Sequence, residues 1–207
     1  MYTFLKDKIL DEREREIMMS WETPIMKEHA KIVTENGGDI LEIGFGMGIC
    51  SNFIQKANIN THTIIEINDQ IFKRLLKWAK DKPNVIPVKG NWYDDIPTTR
   101  KYDAIFYDGF GDMINKRFFA SRIMQHCKVG TIITWYNNFL EKQSQYDGDV
   151  KKVDGHKKIE QFDRTERITY QEVELSIPER ARIDWYLKGT GNTYYAPQLI
   201  VDNNDLN

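Results

Sequence analysis

Three glycines at alternate positions, Gly44, Gly46 and Gly48, follow directly after the apolar run Asp39–Ile43. The β-branched and leucine residues of that run predict a buried strand. Glycine lets the backbone turn sharply and come close to a ligand without side chains in the way. A strand that ends in such a turn and is followed by a helix is typical of α/β sheets. The segment therefore constrains the chain to that fold class.

Short strand patterns alternate with helical patterns beyond the glycines, which predicts a mostly parallel sheet with helices on both faces. The predicted strands are Asp39–Ile43, Thr61–Ile65, Asn84–Val88, Tyr102–Tyr107 and Thr131–Trp135, and the predicted helices are Met47–Lys56, Gln70–Lys80 and Asn115–Cys127. Two later runs, Ile168–Ser176 and Thr193–Val201, predict an antiparallel pair of strands at one edge. The expected fold class is α/β, with a doubly wound, mostly parallel, seven-stranded Rossmann-like sheet.

The first 37 residues predict a helical cap on this sheet. Mixed charges with a few apolar residues suggest an amphipathic helix from Phe4 to about Ser20. A second helix is predicted to start near Thr23-Pro24, because proline suits the first helical turn, and to end at Asn36-Gly37-Gly38. The length of 207 residues fits a single domain. We expect the cap at residues 1–37 and the core at residues 38–207.

The formal charge of -2 gives no overall positive field. Nucleic acid and an anionic membrane are therefore not expected as partners, and a small molecule is. The charged start and the lack of an apolar run of about 20 residues predict a cytoplasmic protein. Cys50 and Cys127 are predicted to be small core residues. The four histidines show no metal-ligand spacing, so no metal site is predicted.

The glycine turn predicts a nucleoside-type cofactor, and two candidates can be compared. The dinucleotide fingerprint G-x-G-x-x-G needs a third glycine where this chain has Ile49. S-adenosyl-L-methionine has no phosphate to hold, and the acidic Glu42 suits its positively charged methionine end. The pattern therefore favours this methyl donor. A dinucleotide site and a purely structural turn remain the alternatives.

Three residues after later strands are expected at the same crevice, because open α/β sheets bind ligands beyond the carboxyl ends of their strands. Glu66 lies about 20 residues beyond the glycines, where an acidic side chain accepts hydrogen bonds from ribose hydroxyls. Trp92 is placed to cover an adenine ring, and Asp108, followed by Gly109, directs a carboxylate into the crevice. The structural alternatives are a neighbour of a helix cap for Glu66, core packing for Trp92 and a turn cap for Asp108.

Several segments together resemble the guanidinoacetate N-methyltransferase family. They are Met18-Met19-Ser20-Trp21-Glu22-Thr23-Pro24-Ile25-Met26, Leu41-Glu42-Ile43-Gly44-Phe45-Gly46-Met47, Ile64-Ile65-Glu66-Ile67-Asn68-Asp69, Val85–Trp92, Tyr107-Asp108 and Tyr194-Tyr195-Ala196-Pro197-Gln198. The resemblance covers nearly the whole chain. The Trp-Glu-Thr-Pro and Gly-Phe-Gly-Met runs together are far more specific than a glycine motif alone.

The resemblance implies roles for individual residues. The residues implied to contact the methyl donor are Met18, Met26, Glu42, Gly44, Phe45, Gly46, Met47, Glu66, Ile67, Asn68, Trp92, Tyr93 and Asp108. Glu22 and Asp108 are implied to grip the guanidinium group of the acceptor, a planar fork of donors that two carboxylates satisfy. A guanidinium must lose a proton before its nitrogen attacks. We expect Asp108 as the base and Glu22 as the clamp, with exchanged or shared roles as the alternative.

The resemblance also implies where the rest of the acceptor binds. Backbone amides near Asn138 and Phe139 would hold its carboxylate, although the side chains there differ from the family pattern. Tyr195, or its neighbour Tyr194, would donate a hydrogen bond to the same carboxylate, with a plain sheet tyrosine as the alternative. The tryptophan that covers the donor is not found near the N-terminus, and Tyr2 or Phe4 would substitute for it.

The sequence thus predicts an S-adenosylmethionine-dependent N-methyltransferase that acts on a small guanidino compound, such as guanidinoacetate, which would give creatine. Arginine or protein-arginine methylation is the related alternative, with the long connection Pro178–Asn192 as a docking surface. Two other hypotheses are a catalytically inactive binding protein with this fold and, more distantly, an NAD-linked oxidoreductase. The oligomeric state is expected to be a monomer or a homodimer.

Overall fold

The computed structural model describes residues 1–97, 99–109, 122–136, 168–177 and 192–206. The chain begins with a small antiparallel sheet of three strands, β1 (Thr3–Phe4), β2 (Lys8–Leu10) and β3 (Glu16–Met19). The predicted amphipathic helix from Phe4 to Ser20 is therefore wrong. The cap at residues 1–37 is a small sheet followed by helices.

Asp11 explains why this segment reverses direction instead of forming a helix. Its Oδ1 accepts hydrogen bonds from the backbone N–H groups of Arg13 at 2.9 Å and Arg15 at 2.8 Å. Glu14 has a φ of 60°, which no right-handed helix contains. Side chains that bond to nearby backbone in this way compete with helix formation. The turn brings Lys8 and Glu16 together across the strands at 2.7 Å.

The second predicted helix is confirmed. A short 3-10 helix, Ser20–Glu22, leads into α1 (Thr23–Thr34), which has proline in its first turn. The helix ends shortly before Gly37, whose φ of 64° is left-handed. One face of α1 is buried against the main sheet, so the helix fixes the position of Glu22 at its start.

The core is a seven-stranded sheet with helices in the connections. Its elements are β4 (Asp39–Ile43), α2 (Ile49–Ile54), β5 (Thr61–Glu66), α3 (Asp69–Ala79), β6 (Val85–Lys89), α4 (Trp92–Asp95), β7 (Tyr102–Tyr107), β8 (Cys127–Trp135), β9 (Thr169–Glu174) and β10 (Thr193–Ile200). The predicted strands are present, although β8 starts four residues before Thr131. Most of the predicted helix Asn115–Cys127 lies outside the described residues.

The strand order is β6-β5-β4-β7-β8-β10-β9. The first five strands are parallel, whereas β10 pairs antiparallel with both β8 and β9. The doubly wound sheet and the antiparallel pair at one edge are thus confirmed. From β4 the chain first adds β5 and β6 on one side of β4, and it then crosses to add β7 and β8 on the other side. Ligands bind at this point of reversal in such sheets.

The sheet is buried on both faces, with alternate residues of each strand pointing to opposite sides. On one face Ile40, Phe106 and Tyr194 pack with α1, and on the other Leu41, Ile105 and Leu199 belong to a second cluster. Cys50 and Cys127 are buried free thiols, as predicted. Within the described ranges, no helix is long and apolar enough to cross a membrane.

Candidate active site

The glycine turn lies between β4 and α2 at the carboxyl end of the sheet. Gly44, Gly46 and Gly48 have φ angles of 93°, 52° and 72°, which side chains rarely tolerate. A Cβ on Gly46 would stand 2.6 Å from the Sδ of Met18, and a Cβ on Gly44 would overlap the backbone oxygen of Asp108. The turn therefore requires glycine both for its backbone conformation and for the space around it.

Glu66 ends β5 and holds the glycine turn from beside it. Its Oε2 accepts a hydrogen bond from the backbone N–H of Phe45 at 3.0 Å, and its Oε1 accepts one from that of Asn68 at 2.7 Å. Burial raises the pKa of Glu66, although these backbone donors oppose the change. The cap of α3 is Asn68, whose Oδ1 accepts from the N–H groups of Gln70 and Ile71. Glu66 is thus a neighbour of this cap, and it also is buried and lines the crevice.

Asp108 follows β7 directly and lies beside the glycine turn. Its backbone N–H donates to the oxygen of Ile43 at 2.9 Å, which continues the ladder between β7 and β4. The pKa of Asp108 is raised to about 8, first by removal from water and then by the negative charges of Glu22, Glu42 and Glu66. A carboxyl group in such surroundings gains from a cationic ligand that replaces the missing water.

Glu22 lies at the start of α1 and is buried. Its Oε2 accepts from the backbone N–H of Met19 at 2.8 Å, and its Oε1 accepts from the hydroxyl of Tyr136 at 2.7 Å. Burial raises the pKa of Glu22 to about 7, against the opposing effect of these two donors. The negative charge of Glu22 contributes to the raised pKa of Asp108, and the predicted joint grip of the two carboxylates on a guanidinium group remains a prediction.

Tyr136 is a site residue that the sequence analysis missed. It is the first residue after β8, shortly before Asn138 and Phe139, whose backbone amides were predicted to bind the carboxylate of the acceptor. The signal available was its position, since residues just beyond the carboxyl ends of parallel strands meet at the crevice. Nothing in the sequence pairs this hydroxyl with a glutamate 114 residues away.

Glu42 lies beneath the turn rather than in the crevice. Its Oε2 accepts a hydrogen bond from the hydroxyl of Ser51 at 2.6 Å and lies 3.0 Å from the Nε2 of His62. The side chains of Glu42 and His62 are both inaccessible to water. Glu42 thus supports the strand end from which the glycines project, and it is not among the residues that line the cavity. Its predicted contact with the methyl donor remains a prediction.

A cavity of about 300 Å³ opens beside the glycine turn, a size in the range of small-ligand sites. Its described walls come from the N-terminal sheet, the glycine turn, the ends of β5 and β7 and the segment before α4. They are formed by Tyr2, Ile17, Met18, Ile43, Gly44, Gly46, Ile65, Glu66, Ile67, Asn68, Ile71, Gly90, Asn91, Trp92, Asp108 and Gly109. These lining residues include two carboxylates and no lysine, arginine or histidine. The cavity therefore suits a cationic ligand.

Aromatic and apolar side chains supply the flat surfaces of the cavity. Trp92 lines it and packs edge-on against Tyr107, with ring centroids 5.4 Å apart, and against Tyr93 at 5.8 Å. Ile67 is exposed and lines the same space, as does Tyr2. Phe4 instead lies beneath the guanidinium group of Arg74, 4.5 Å from it. Of the two residues considered as covers, Tyr2 is the one at the cavity.

Other residues predicted to contact the cofactor or the acceptor are not among the described residues that line the cavity. Met26 is fully buried in the core, and Phe45 packs against Trp78 with centroids 5.4 Å apart. Met47 donates its backbone N–H to the Sδ of Met18 at 3.1 Å, which joins the turn to the N-terminal sheet. Tyr195 lies on the opposite face of β10 from the buried Tyr194. Asn138 and Phe139 lie outside the described residues.

The three histidines within the described ranges have contacts that belong to the fold. His29 is buried between Thr134 and Tyr194, each 2.8 Å from one of its ring nitrogens, and His62 supports Glu42. His126 lies near the carbonyl of Arg100 at 3.4 Å. Among the described residues, no cluster of three or more histidine, cysteine, aspartate or glutamate side chains is arranged to hold a metal ion.

The residues fit S-adenosylmethionine on the structural observations alone. Side chains at Gly44 and Gly46 would collide with Asp108 and Met18, which line the cavity. The apolar walls suit an adenine ring, and Glu66 lies where ribose hydroxyls donate. The carboxylates of Glu66 and Asp108 would stabilise the positive charges of the cofactor's sulfonium and ammonium groups. A pyrophosphate, by contrast, would meet Glu66 and Asp108 with no described basic residue in the lining to balance it.

Solved structures with a similar fold are methyltransferases and related enzymes. The N-methyltransferase NodS from Bradyrhizobium japonicum WM9 aligns with a TM-score of 0.60 at 12% identity, over 88% of this chain and 97% of that one. The NodS complex with S-adenosyl-l-homocysteine aligns with a TM-score of 0.60 at 13% identity, over 87% of each chain. Spermidine synthase from Thermotoga maritima gives 0.64 at 10% identity, over 100% of this chain and 75% of that one. At these identities the likeness shows the fold alone.

Curated relatives share more sequence with the chain. Protein arginine N-methyltransferase 2 from Aspergillus fumigatus is 28% identical over 210 residues, which is 97% of this chain and 46% of the relative. The protein of the same name from Aspergillus oryzae is 31% identical over 155 residues, which is 70% of this chain and 37% of the relative. The chain spans less than half the length of these relatives.

The fold and the cavity define the class of S-adenosylmethionine-dependent methyltransferases. Within this class the chain matches one family over residues 5–186, which is most of its length. The chain belongs to the guanidinoacetate N-methyltransferase family, so the resemblance found in the sequence is confirmed. S-adenosyl-L-methionine is accordingly the cofactor of this site.

Proposed function

We propose that the chain transfers a methyl group from S-adenosylmethionine to a nitrogen of a guanidino compound, with guanidinoacetate as the first candidate acceptor and creatine as its product. One observation carries this proposal. Asp108 lines a cavity whose described lining contains no basic side chain, and the buried Glu22 lies near enough for its negative charge to raise the pKa of Asp108. A guanidinium group is the cation whose planar fork of donors two carboxylates bind best.

Each residue has a distinct part in the proposed reaction. When bound, the cofactor would supply an electrophilic sulfonium methyl: the nitrogen lone pair would form the N–C bond to its carbon, the S–C bond would break, and S-adenosylhomocysteine would leave with that electron pair. Asp108 accepts the proton that the guanidinium nitrogen must lose. Glu22, held by Met19 and Tyr136, keeps the acceptor oriented and stabilises its positive charge.

The raised pKa values of the two carboxyl groups support this assignment. In the ligand-free site Asp108, with a pKa near 8, is largely protonated at neutral pH. A bound cation favours the ionised carboxylates and releases protons. The ionised Asp108 carboxylate can then accept the proton of the guanidinium nitrogen. Glu22 has fewer acidic neighbours than Asp108 and accepts two hydrogen bonds, so its carboxyl group ionises at a lower pH than that of Asp108.

A second acceptor has a specific observation in its favour. The curated relatives in Aspergillus are named protein arginine N-methyltransferase 2, and arginine ends in the same guanidinium group. The carboxylate pair binds either acceptor through that group. The choice between a small compound and an arginine side chain depends on what surrounds the rest of the acceptor.

The test is a transfer assay with three acceptors. Purified protein and S-adenosylmethionine would be incubated with guanidinoacetate, free arginine or an arginine-containing peptide, and S-adenosylhomocysteine would be measured. Release with guanidinoacetate, abolished in Asp108→Asn, supports the proposal. Release with arginine or the peptide alone would transfer the proposal to that acceptor. Binding of S-adenosylhomocysteine without transfer to any of them would favour an inactive binding protein.

A further inference from the structure

Tyr136 connects the two carboxylate-bearing parts of the site. Its hydroxyl donates to the Oε1 of Glu22 at 2.7 Å. Its backbone N–H donates to the oxygen of Tyr107 at 2.8 Å, and that oxygen belongs to the peptide group that precedes Asp108. One residue at the end of β8 therefore holds both the start of α1 and the end of β7.

We propose that Tyr136 is a positioning residue that fixes the separation and orientation of Glu22 and Asp108, so that one guanidino group meets both carboxylates. This inference rests on the proposed function. Tyr136 acts through its two hydrogen bonds and does not itself accept or donate the reacting proton. Its contribution follows from geometry, because small displacements of the groups that orient an acceptor have large effects on rate.

The ring of Tyr136 is itself held in place. It packs against Tyr194 with centroids 5.7 Å apart and an angle of 37° between the rings. The hydroxyl of Tyr194 lies 2.8 Å from the Nε2 of His29. His29 in turn stacks on Phe106 at 4.7 Å and so ties the tyrosine pair to the centre of the sheet.

The hydrogen bonds behind the ring have one consistent direction. The hydroxyl of Thr134 donates to the carbonyl of Pro197, so it accepts from the Nδ1–H of His29. The Nε2 of His29 is then an acceptor, and it receives the hydroxyl of Tyr194. The proton of Tyr194 is therefore committed to His29, while that of Tyr136 is directed to Glu22. The two tyrosine hydroxyls thus have different acceptors, His29 for Tyr194 and Glu22 for Tyr136.

The substitution that tests this role is Tyr136→Phe, because it keeps the ring and the backbone bond to Tyr107 and removes the bond to Glu22. We expect kcat/KM for the guanidino acceptor to fall roughly 10- to 100-fold, as for loss of a hydrogen bond to a charged group. The affinity for S-adenosylhomocysteine should change less than about twofold, since Tyr136 is not among the described residues that line the cavity.

The matched control is Tyr102→Phe. Tyr102 is fully buried at the other end of the sheet, at the start of β7, and the substitution removes the same atom. We expect Tyr102→Phe to leave kcat/KM for the acceptor unchanged. An equal loss in both variants would show that any buried hydroxyl has this effect, and it would overturn the proposal.

A second measurement does not depend on turnover. The carboxyl carbon of Glu22 can be followed by NMR in protein labelled with ¹³C at the glutamate carboxyl and assigned with Glu22→Gln. A donor to a carboxylate lowers its pKa, so the pKa of Glu22 should be higher in Tyr136→Phe than in the wild type. An unchanged titration of Glu22 would overturn the proposal, since the contact would then carry no free energy.

The proposed function and the positioning role of Tyr136 can fail separately. If the wild type transfers no methyl group to any guanidino acceptor, the proposed function fails and the positioning role fails with it. If the wild type is active and Tyr136→Phe matches it in kcat/KM, only the positioning role fails. If Tyr136→Phe lowers the affinity for S-adenosylhomocysteine by the same factor as kcat/KM, and the melting temperature falls as well, Tyr136 contributes to folding and not to positioning.

Discussion

Gly44 lies directly against the backbone carbonyl of Asp108, so closely that a Cβ at position 44 would overlap that oxygen. The contact joins the turn predicted to hold the cofactor to the residue predicted to act as the base. Both follow adjacent strands, β4 and β7, whose ladder continues from Ile43 to Asp108. The distance between donor and acceptor sites is thus set by backbone contacts.

Gly44→Ala should therefore reduce both folding stability and cofactor affinity. The backbone conformation alone costs about 1–3 kcal/mol for a residue with a side chain, and the overlap displaces the turn as well. We expect affinity for S-adenosylhomocysteine to fall at least about tenfold, or about 1.4 kcal/mol. Calorimetric titration would measure it.

Gly130→Ala is the control for this experiment. Gly130 has a φ of 89°, close to the 93° of Gly44, but a Cβ there would meet nothing within 4 Å. It should lose stability by a similar backbone cost and keep the wild-type affinity for S-adenosylhomocysteine. Equal affinities in the two variants would show that the contact with Asp108 has no bearing on the cofactor site.

Asp108→Asn should remove most of the activity even when S-adenosylmethionine is saturating. An amide is not a base for the guanidinium proton, and loss of a general base typically reduces the rate by about 10²–10⁴-fold. Single-turnover kinetics with saturating S-adenosylmethionine would measure the chemical step. Retention of more than about a tenth of the wild-type rate would assign the base to another group, with Glu22 the first candidate.

The same variant should be more stable than the wild type at alkaline pH when no ligand is present. The pKa of Asp108 is about 8 in the folded protein and near 3.8 in an unfolded chain, so the folded state binds more protons between these values. Stability therefore falls as pH rises from about 4 to 8, and Asp108→Asn removes this part of the loss. Melting temperatures measured from pH 5 to 9 would show the two curves separating.

Asp103→Asn should change the stability in the opposite direction, although Asp103 belongs to the same strand, β7, that Asp108 follows. Asp103 accepts a hydrogen bond from the N–H of Asp39 and pairs with Lys128, and despite partial desolvation these contacts lower its pKa. Its contribution to stability is present at neutral pH and is lost as the pH falls through the folded pKa. The substitution should thus lower the melting temperature at pH 8, where Asp108→Asn raises it. A decrease in both variants would contradict the raised pKa assigned to Asp108.

His29→Phe should destabilise the protein by about 1–3 kcal/mol, because the hydroxyl of Tyr194 loses its buried acceptor. The double variant His29→Phe with Tyr194→Phe removes both partners and should recover part of the loss. Urea unfolding at pH 7 would measure both. Additive losses would mean that the bond contributes nothing.

The pH dependence of His29 provides a further check. Burial lowers its pKa to about 3, whereas the imidazole of an unfolded chain titrates near 6.5. The folded state then resists protonation, so stability is lost as pH falls below about 6.5. The decrease in unfolding free energy between pH 7 and pH 5 should be smaller in His29→Phe. An identical decrease would show that His29 is charged in the fold.

The central sheet could be predicted because its strands are short apolar runs separated by clear turns. The N-terminal sheet could not, since its strands are two to four residues long and carry no usable periodicity. The decisive feature was Asp11, whose bonds to Arg13 and Arg15 reverse the chain. Such side-chain turns compete with helices at a scale that composition does not reveal.

The candidate site divides in the same way. Glu66 and Asp108 were predictable from their positions at strand ends, and Glu22 from the resemblance to the family. The partners of Glu42 were not, because Ser51 and His62 reach it from α2 and β5 in three dimensions. Tyr136 belongs to the same group, since its hydroxyl meets Glu22 only after α1 packs on the sheet.

The place of β10 within the sheet has a consequence for biosynthesis. It lies between β8 and β9 although it is the last of the described strands. A ribosome thus completes β8, with Tyr136 next to it, long before residues 193–200 exist to cover its open edge. Pairings between distant segments form slowly, and unpaired strand edges aggregate. A nascent chain arrested before residue 193 would be a client for chaperones.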